Sequence, residues 1–354
     1  MGPEGSTALP ATRLTLSAAK PPPSARLRQC VRAFAGRRVV VWGDFLLDEY
    51  WLTTTRRVSR EAPVLILDYD GKELAGGGAA NAAMNLAAMG ARVRALGWVG
   101  RDDGGRELRA LLGRYGIDTK GLLEVSGVAT VVKSRILAGA VHTARQQVVR
   151  VDRGRGLGEV ESAWASRLAA AAHDAGRDAH AVLLSDYGYA AVTPARARRL
   201  IAEWRRRGVI VSLDARYALA RYRGVTLATP NESEAAAAAG VEIRNEGTLC
   251  RAATTLMRRL RPALLVVTRG RDGLAAWPGK GGFRLEAWGA KEAVDPTGAG
   301  DAVVAAATLA LAARATSLEC AALANVAGSV AVSRRGTHPV EAGSILQALR
   351  RSRR

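Results

Sequence analysis

Residues 295–302 are DPTGAGDA, a proline and two glycines between two acidic residues, and a long Ala/Val run follows them. The proline fixes the backbone that enters the turn, and the glycines let backbone amides face a bound group without an intervening Cβ. With the dipole of the predicted following helix, Gly298, Ala299 and Gly300 would form an anion hole for a phosphoryl group. Asp301 could accept a proton from an attacking hydroxyl, a step that contributes about 10²–10⁴-fold. The alternative is an ordinary glycine turn capped by an aspartate, but eight ordered positions favour the chemical interpretation.

The motif TPNESE places Asn231 and Glu234 three residues apart, so that one turn of helix would bring both side chains to the same face. Their hard oxygens suit a hydrated Mg²⁺ ion and its phosphate, because Mg²⁺ keeps several of its waters in protein sites. The alternative is a capping box with Asn231 as N-cap and Glu234 as the third helical residue. Taken alone, the motif favours the cap.

The motif VTRGRDG predicts a strand that ends at Thr268 and a turn that contains Gly270. The hydroxyl and the exposed amides of such a turn would suit a phosphate. A plain hairpin turn has the same glycines and needs no ligand. Taken alone, the motif favours the hairpin.

The glycine-rich stretch ELAGGGAANAAMNLAAMG predicts a tight turn into a helix that carries Asn81. Gly77 and Gly78 would let the backbone approach a ligand closely, and the amides at a helix N-terminus favour anions or polar oxygens. A purely structural strand–helix turn explains the pattern equally well.

The composition is that of a globular protein with an excess of positive charge. The 354 residues are 48% hydrophobic and 24% charged, with a net charge of +20 from 52 Lys and Arg against 32 Asp and Glu. The arginines are spread along the chain and no basic motif is interleaved with aromatics, so we interpret them as a solvated surface and expect no nucleic-acid partner. Neither GxxxxGK[ST] nor GxGxxG occurs, which argues against a P-loop NTPase and a Rossmann dehydrogenase.

The cysteines and the apolar segments bear on the compartment. The three cysteines are far apart and form no CxxC motif, which argues against a disulfide framework and a zinc site. No segment resembles a signal peptide, and the longest apolar run, residues 302–313, is too short for a bilayer and predicts a buried helix. We therefore expect a cytoplasmic protein without a membrane partner.

Apolar runs alternate with Ala/Leu/Arg segments of helical spacing, which predicts an α/β fold with a mostly parallel sheet covered on both faces. The predicted strands are residues 37–44, 180–186, 208–214, 224–231 and 263–270. Ligands bind beyond the carboxyl ends of the strands in such sheets. Polar residues at these ends are predicted to converge on one edge: Asp44, Asp186, Asp214, Asn231 and Thr268.

Two parts of the chain depart from this alternation. Residues 1–23 are rich in Gly, Pro, Ser, Thr and Ala, and they are predicted to be a disordered tail before a single domain over residues 24–350 that opens with a short helix. Segments at about 50–73 and 128–152 contain predicted strands without intervening helices. They would form either a small β layer over the site or extra strands at the edge of the main sheet.

These motifs, in this order, resemble the ribokinase (PfkB) family of sugar kinases over roughly residues 37–349. DPTGAGD is similar to the family's C-terminal signature and GGGAAN to its N-terminal glycine motif. Closer detail resembles one branch, the D-glycero-β-D-manno-heptose 7-phosphate kinases of lipopolysaccharide-core biosynthesis, some of which are fused to an adenylyltransferase domain. The stretches that carry this likeness are GDFLLDEYW, RRVSREAPV, GGAANAAMNLAAMGA, RQQVVRVD, LSDYG, RYRGVTLATPNESE and ANVAGSVAVSRRGT.

The resemblance implies a ribokinase-like three-layer α/β/α fold with a β-sheet lid that often forms a homodimer. It implies ATP and Mg²⁺ as cofactors, with a monovalent cation as a further candidate, and transfer of the γ-phosphoryl group to a sugar hydroxyl with Asp301 as general base. In the heptose branch the acceptor is the anomeric hydroxyl. The implied nucleotide-binding residues are Asn231, Thr268, Gly270, Asp295, Thr297 and Asn325, and Asn231 and Glu234 would hold Mg²⁺ through water. The implied substrate-binding residues are Asp44, Gly77, Gly78, Asn81, Lys133, Arg150 and Asp186, with Arg135 as a further candidate for the sugar's distal phosphate.

Two positions depart from the heptose branch. Tyr189 stands where a lysine is usual, and Asp214-Ala215-Arg216 replaces Asp-Pro-Lys. Arg216 keeps the charge of the lysine but not its geometry. Two alternatives therefore stay open: a kinase of the same family for another sugar or sugar phosphate, and a catalytically silent sugar- or nucleotide-binding protein. Because the chain ends soon after the kinase region, adenylyltransferase activity is not expected.

Overall fold

The computed structural model describes residues 14–140, 143–156, 161–289, 294–333 and 336–351. Within them, fourteen strands form two separate sheets and ten α-helices are present. The strands are β1 Thr15–Ala18, β2 Arg38–Gly43, β3 Phe45–Val58, β4 Leu65–Gly78, β5 Arg92–Gly100, β6 Asp118–Val125, β7 Val132–Gly139, β8 Gln146–Arg153, β9 Ala181–Asp186, β10 Ile210–Ala215, β11 Leu227–Ala228, β12 Leu264–Thr268, β13 Leu274–Trp277 and β14 Gly281–Leu285. The helices are α1 Ser24–Arg32, α2 Ala79–Ala88, α3 Asp103–Arg114, α4 Glu161–Ala175, α5 Pro194–Arg206, α6 Glu232–Ala239, α7 Glu246–Leu260, α8 Ala299–Ala312, α9 Ser317–Val332 and α10 Ala342–Arg351.

The larger sheet has the strand order β1-β14-β13-β12-β11-β10-β9-β2-β5-β6. It is parallel except at β13, which runs antiparallel to both neighbours. Side chains alternate between two cores: Val39 and Val41 join the core built with α1, α2, α3, α8, α9 and α10, whereas Val40 and Trp42 join the core built with α4, α5, α6 and α7. Burial on both faces is why the strands are continuous apolar runs. The predicted three-layer α/β/α architecture is confirmed.

The predicted convergence of polar strand ends is also confirmed. Strands β2, β9, β10, β11 and β12 are successive parallel neighbours, so their carboxyl ends share one edge. Asp186 and Asp214 lie at the ends of β9 and β10, and Asp44 directly follows β2. Asn231 forms an isolated bridge with Thr268 at the same edge. β11 is shorter than predicted, because only Leu227 and Ala228 are paired as strand.

The second sheet, which we call the lid, has the order β4-β3-β7-β8. It is a separate layer, so the alternative of extra strands on the main sheet is wrong. β3 begins one residue after Asp44, and β4 ends at Gly78, immediately before α2. The lid strands are therefore continuous with the carboxyl edge of the main sheet, and they extend beyond the predicted segment of about residues 50–73.

The predicted disordered tail is wrong for residues 14–23, and residues 1–13 lie outside the described residues. β1 pairs in parallel with β14, and Trp277 Nε1 donates a hydrogen bond to Thr15 O at 3.2 Å. An added edge strand is stabilised by the partner's free backbone groups. Composition carries no signal for such a partner, which is why the strand was missed.

Two observations bear on the predicted cytoplasmic location. The described part of the chain has no helix that combines the length and the apolar character of a membrane span. The three cysteines are free thiols, and Cys30 and Cys320 are buried. The predicted buried helix over residues 302–313 is α8.

Candidate active site

Asp301 lies in the first turn of α8, as predicted. Gly298 is the N-cap of this helix and has a φ of 77°, a left-handed conformation that favours glycine. Thr308 Oγ1 lies 2.8 Å from Ser212 Oγ, a hydrogen bond that fixes α8 against β10. Asp301 is only 7% exposed, so its carboxyl group is held inside the fold at the carboxyl edge of the sheet.

Both oxygens of the Asp301 carboxyl group accept hydrogen bonds. Asn81 Nδ2 donates to Oδ2 at 2.6 Å, and the Tyr187 hydroxyl donates to Oδ1 at 3.3 Å. Asn85 Nδ2 donates to Asn81 Oδ1, which fixes the amide orientation of Asn81. Burial raises the pKa of Asp301 to about 7, and the two hydrogen bonds oppose this rise. A carboxylate with a pKa near neutrality is well suited to act as a general base.

A cavity of about 210 Å³ opens beside the N-terminus of α8. Three of the six predicted nucleotide-binding residues line it, Thr268, Gly270 and Asn325, together with Ala299 and Gly300 of the predicted anion hole. The β12–β13 connection is an antiparallel hairpin with a short 3₁₀ turn, as the structural alternative predicted. This hairpin nevertheless forms one wall of the cavity, so the two interpretations are compatible. Contact with a nucleotide stays a prediction.

Asp295 and Thr297 shape the turn before α8. Thr297 N donates to Asp295 Oδ1 at 2.9 Å, and Gly336 N donates to Asp295 Oδ2 at 2.9 Å. Asp295 therefore ties the turn to the segment that follows α9. The described residues that line the cavity do not include these two, whose predicted role in nucleotide binding is not supported by a direct wall contact.

Asn231 and Glu234 form the capping box that the sequence favoured. Glu234 N donates to Asn231 Oδ1 at 2.9 Å, and Asn231 N donates to Glu234 Oε2 at 3.0 Å. Burial raises the pKa of Glu234. Glu234 Oε1 takes no part in the two hydrogen bonds of the capping box. A hard carboxylate oxygen of this kind fits a hydrated Mg²⁺. The capping role and the predicted metal role are compatible, and the second stays a prediction.

Asp44 and Asp186 organise the loop after β9. The Asp44 carboxylate accepts hydrogen bonds from the backbone N–H groups of Tyr187 (2.8 Å), Tyr189 (3.0 Å) and Ala191 (2.9 Å). Asp186 accepts from Tyr222 Oη at 2.7 Å and from its neighbour Gly188 N at 3.0 Å. Burial raises the pKa of Asp44 to about 6. The structure thus gives both acids a positioning role, and their predicted contact with a sugar stays a prediction.

Gly77 and Gly78 are required by the packing of β4 against β3. A Cβ on Gly78 would lie 2.2 Å from Leu46 Cδ1 and 3.3 Å from the Tyr187 ring, and its φ is 54°. A Cβ on Gly77 would lie 3.0 Å from Asp48 Oδ2. The structural interpretation of the glycine motif is therefore confirmed, and its role in sugar binding stays a prediction.

One face of the lid carries the predicted cations. Lys133 lies across from Asp48 of β3 and Asp152 of β8. Arg150 makes a two-point contact with Asp152, and Arg135 Nη1 donates to Asp48 Oδ1 at 2.7 Å. The ammonium of Lys133 has no hydrogen-bond or ion-pair partner among the described residues, and burial lowers its pKa.

Two site residues, Tyr187 and Asp48, were missed as functional candidates, whereas Asp214 was predicted only as a polar strand end at this edge. Tyr187 Oη lies 3.2 Å from Asp214 Oδ2 as well as 3.3 Å from Asp301 Oδ1. Asp48 is 5% exposed and lies close enough to Asp301 to contribute to the rise of its pKa. For Asp214 the strand-end position was a usable signal. For Tyr187 the signal was its place directly after a strand that ends in Asp186.

The two positions that depart from the heptose branch lie at the rim of this site. Burial and then the charge of Asp152 raise the pKa of the Tyr189 hydroxyl. The Arg216 guanidinium lies 5.8 Å from the centre of the Tyr217 ring. Burial lowers the pKa of Lys133 and raises that of Glu234, and the charge of Arg216 adds to the first shift and opposes the second, so Arg216 lies near both side chains.

Sequence comparison gives a family match over more than half of the chain. The family described as pfkB family carbohydrate kinase matches residues 37–149 and 191–342. The chain is 36% identical over 311 residues to the bifunctional protein HldE of Geobacter metallireducens, covering 88% of this chain and 62% of that protein. The HldE of Geobacter sulfurreducens is 37% identical over 311 residues, again covering 88% of this chain and 62% of that protein. The chain thus spans about three fifths of the length of these curated relatives.

Solved structures show the same fold. Arabidopsis thaliana ribokinase, complexed with ribose and ATP, gives a TM-score of 0.66 at 20% identity and covers 89% of this chain and 99% of its own. Escherichia coli phosphofructokinase-2, in complex with potassium, gives a TM-score of 0.70 at 20% identity, and the match covers 90% of this chain and 100% of that one. The family match over more than half of its length shows that this chain is a member of the pfkB family of carbohydrate kinases.

Proposed function

We propose that this enzyme transfers the γ-phosphoryl group of ATP to the anomeric hydroxyl of D-glycero-β-D-manno-heptose 7-phosphate, giving the 1,7-bisphosphate. The observation that carries the proposal is the position of Asp301. It lies between the cavity lined by Thr268, Gly300 and Asn325 and the lid face that bears Lys133. The HldE relatives support the choice of a heptose phosphate.

In the proposed reaction, the phosphates of ATP lie at the N-terminus of α8. The backbone amides of Gly298, Ala299 and Gly300 stabilise the charge that grows on the transferred group, assisted by the helix dipole. The ionised Asp301 takes the proton of the attacking hydroxyl as the oxygen–phosphorus bond forms and the bond to ADP breaks. Asn81 and Tyr187 hold its two oxygens in place.

Asn231 and Glu234 would hold Mg²⁺ through water. When bound, the ion neutralises part of the phosphate charge, which is its general role in phosphoryl transfer. The capping box fixes both side chains at the start of α6, at the same sheet edge as Thr268.

The lid supplies the proposed site for the phosphate of the substrate. A half-buried ammonium without a partner is a favourable place for an anion, because the ligand restores the interactions that burial removed. Lys133 meets this description, and Arg216 adds a second positive charge nearby. Lys133 lies across from Asp48, which borders Asp301, and this arrangement suits a sugar whose reacting hydroxyl and phosphate lie at opposite ends.

Charge reversal at Lys133 is expected to act on the sugar phosphate alone. Lys133→Glu should raise the KM for a phosphorylated sugar at least about tenfold, since a repulsive charge replaces an attractive one in a partly desolvated site. The KM for ATP should stay within about twofold. Steady-state kinetics with each substrate varied in turn measures both values.

Lys120→Glu, on the exposed Lys120 of β6, makes the same change in net charge and serves as the matched control. An unchanged sugar KM in Lys133→Glu would remove Lys133 from the phosphate site.

The pH dependence of turnover follows from the raised pKa of Asp301. Because the ionised carboxylate is the active form, kcat should fall as the pH decreases through about 7 and reach a plateau about one unit above it. Measuring kcat with saturating substrates across this range checks the prediction. A kcat that stays constant through the range in which Asp301 titrates would contradict its role as the base.

We also propose a homodimer through the outer face of the lid. Trp51 and Tyr69 stack edge to face with ring centres 6.1 Å apart, and Trp51 is 39% and Tyr69 62% exposed. Val149 and Val151 of β8 are also exposed. An exposed apolar group of this kind on a sheet is typical of a protein–protein contact.

The test of the proposed function is ATP consumption against sugars and sugar phosphates, with heptose 7-phosphate and unphosphorylated heptose as the key pair. We expect the highest kcat/KM for heptose 7-phosphate. Activity only on an unphosphorylated sugar would exclude this substrate and favour another sugar. Failure with every sugar would favour a silent binding protein.

A further inference from the structure

Tyr187 bridges two carboxyl groups with a single hydroxyl. Its Oη lies 3.3 Å from Asp301 Oδ1 and 3.2 Å from Asp214 Oδ2. The hydroxyl has one proton, so it can donate to only one of the two acids. The other contact is a hydrogen bond only if that acid carries a proton and donates it to the tyrosine oxygen.

Counting protons selects one arrangement for the active enzyme. With three protons on the chain of oxygens, Asp301 is neutral and cannot act as a base. With one proton, held by Tyr187, both acids are ionised, and in one of the two contacts the oxygen lone pairs face each other with no proton between them. With two protons, Asp214 donates to Tyr187 and Tyr187 donates to an ionised Asp301, so that both contacts are hydrogen bonds and the base is ready.

We propose that Tyr187 is a positioning residue that carries a hydrogen-bond relay from protonated Asp214 to ionised Asp301. The relay fixes the orientation of the Asp301 carboxylate and stabilises its charged form. This inference rests on the proposed function of Asp301 as the base.

The surroundings of the three groups favour this proton arrangement. Burial, followed by the charges of Asp301 and Glu234, raises the pKa of Asp214 well above its usual value. Burial also raises the pKa of Tyr187, so the tyrosine keeps its proton. The further charged groups that face the relay are Asp48 toward Asp301, Asp186 toward Asp214, and Arg216 toward Glu234.

Tyr187 is held firmly enough to perform this role. Its backbone N–H donates to the buried Asp44 at 2.8 Å, and Asp44 is 2% exposed. Gly78 leaves the space for its ring, because a Cβ there would lie 3.3 Å from Tyr187 Cδ2. Asp214 is fixed by the pairing of β10 with β9.

The test is the pH dependence of kcat in Tyr187→Phe. Losing one hydrogen bond to a charged carboxylate should move the acid limb of the profile up by about one pH unit. Because the pKa of Asp301 is about 7, this shift should lower kcat at pH 7 about fivefold. The KM for ATP should change less than about twofold. A Tyr187→Phe enzyme with lower kcat but an unshifted acid limb would overturn the relay, since a purely structural role predicts that result.

Variants of Asp214 provide a second measurement. Asp214→Asn keeps a neutral N–H donor for the tyrosine oxygen, so it should lower kcat only about threefold, whereas Asp214→Ala should lower it about tenfold. Equal, severe losses in both variants, with wild-type melting temperatures, would show that Asp214 must be charged and would overturn the proposal.

Carboxyl ¹³C NMR of aspartate-labelled protein separates this inference from the proposed function. The resonance that is missing in Asp301→Asn identifies Asp301. Titrating this resonance in wild type and in Tyr187→Phe measures the change in the pKa of Asp301 without any need for catalysis. If the wild type phosphorylates no sugar, the proposed function fails. The relay is then supported by an upward shift in Tyr187→Phe and excluded by its absence.

Discussion

Asp301→Asn should lower kcat by about 10²–10⁴-fold while KM for ATP changes little, because the substitution removes the proton acceptor and keeps the shape of the side chain. The asparagine can still accept from Asn81 through its oxygen and donate to Tyr187 through its amide nitrogen, so both contacts at 2.6 Å and 3.3 Å have a replacement. Steady-state kinetics at about pH 8, where Asp301 is ionised, measures the loss.

The stability of the same variant separates lost chemistry from lost folding. Burial raises the pKa of Asp301 from 3.8 to about 7, so ionisation of this group destabilises the folded state as pH rises through that window. Asp301→Asn removes this cost and should melt no lower than wild type at about pH 8. A variant that melts much lower would mean that the kinetic loss reflects unfolding, and full activity would exclude Asp301 as the base.

Gly298→Ala should lower kcat about 10²–10³-fold, the cost of disturbing an anion hole. Gly298 has a φ of 77°, and an added Cβ would lie 2.7 Å from Asn81 Nδ2 and 2.7 Å from Thr337 Cγ2. The turn must therefore change conformation, or Asn81 must move away from Asp301. Either response disturbs the amides at the N-terminus of α8 and the orientation of the base together.

Gly343→Ala is the matched control for this change. Gly343 lies in α10 with a helical conformation, and a Cβ there would meet no atom within 4 Å. It should keep wild-type kinetics and gain about 0.5–1 kcal/mol of stability from the helix. Wild-type kcat in Gly298→Ala would contradict the proposed geometry of the anion hole.

Local sequence was sufficient for the parts of the site that lie within one turn or motif. DPTGAGDA gave the glycine turn and the acid in the first turn of α8, and TPNESE gave the capping box of Asn231 and Glu234. The polar strand ends were also predictable, because the carboxyl ends of parallel neighbours share one edge.

Contacts between distant segments were not predictable in the same way. The Tyr187–Asp301 contact joins residues 114 positions apart, and the pairing of Lys133 with Asp48 depends on the register of the lid. A shift of one residue in that register would turn every side chain to the other face. β1 was missed for a similar reason, since its partner β14 lies more than 250 residues away.

The central claim is phosphoryl transfer to the anomeric hydroxyl of a sugar phosphate. ³¹P NMR of the reaction of the wild-type enzyme with ATP and heptose 7-phosphate tests it most directly. We predict a new resonance coupled to the anomeric proton, an unchanged 7-phosphate resonance and an equal amount of ADP. ADP with inorganic phosphate alone, or a new phosphate on another carbon, would contradict the claim.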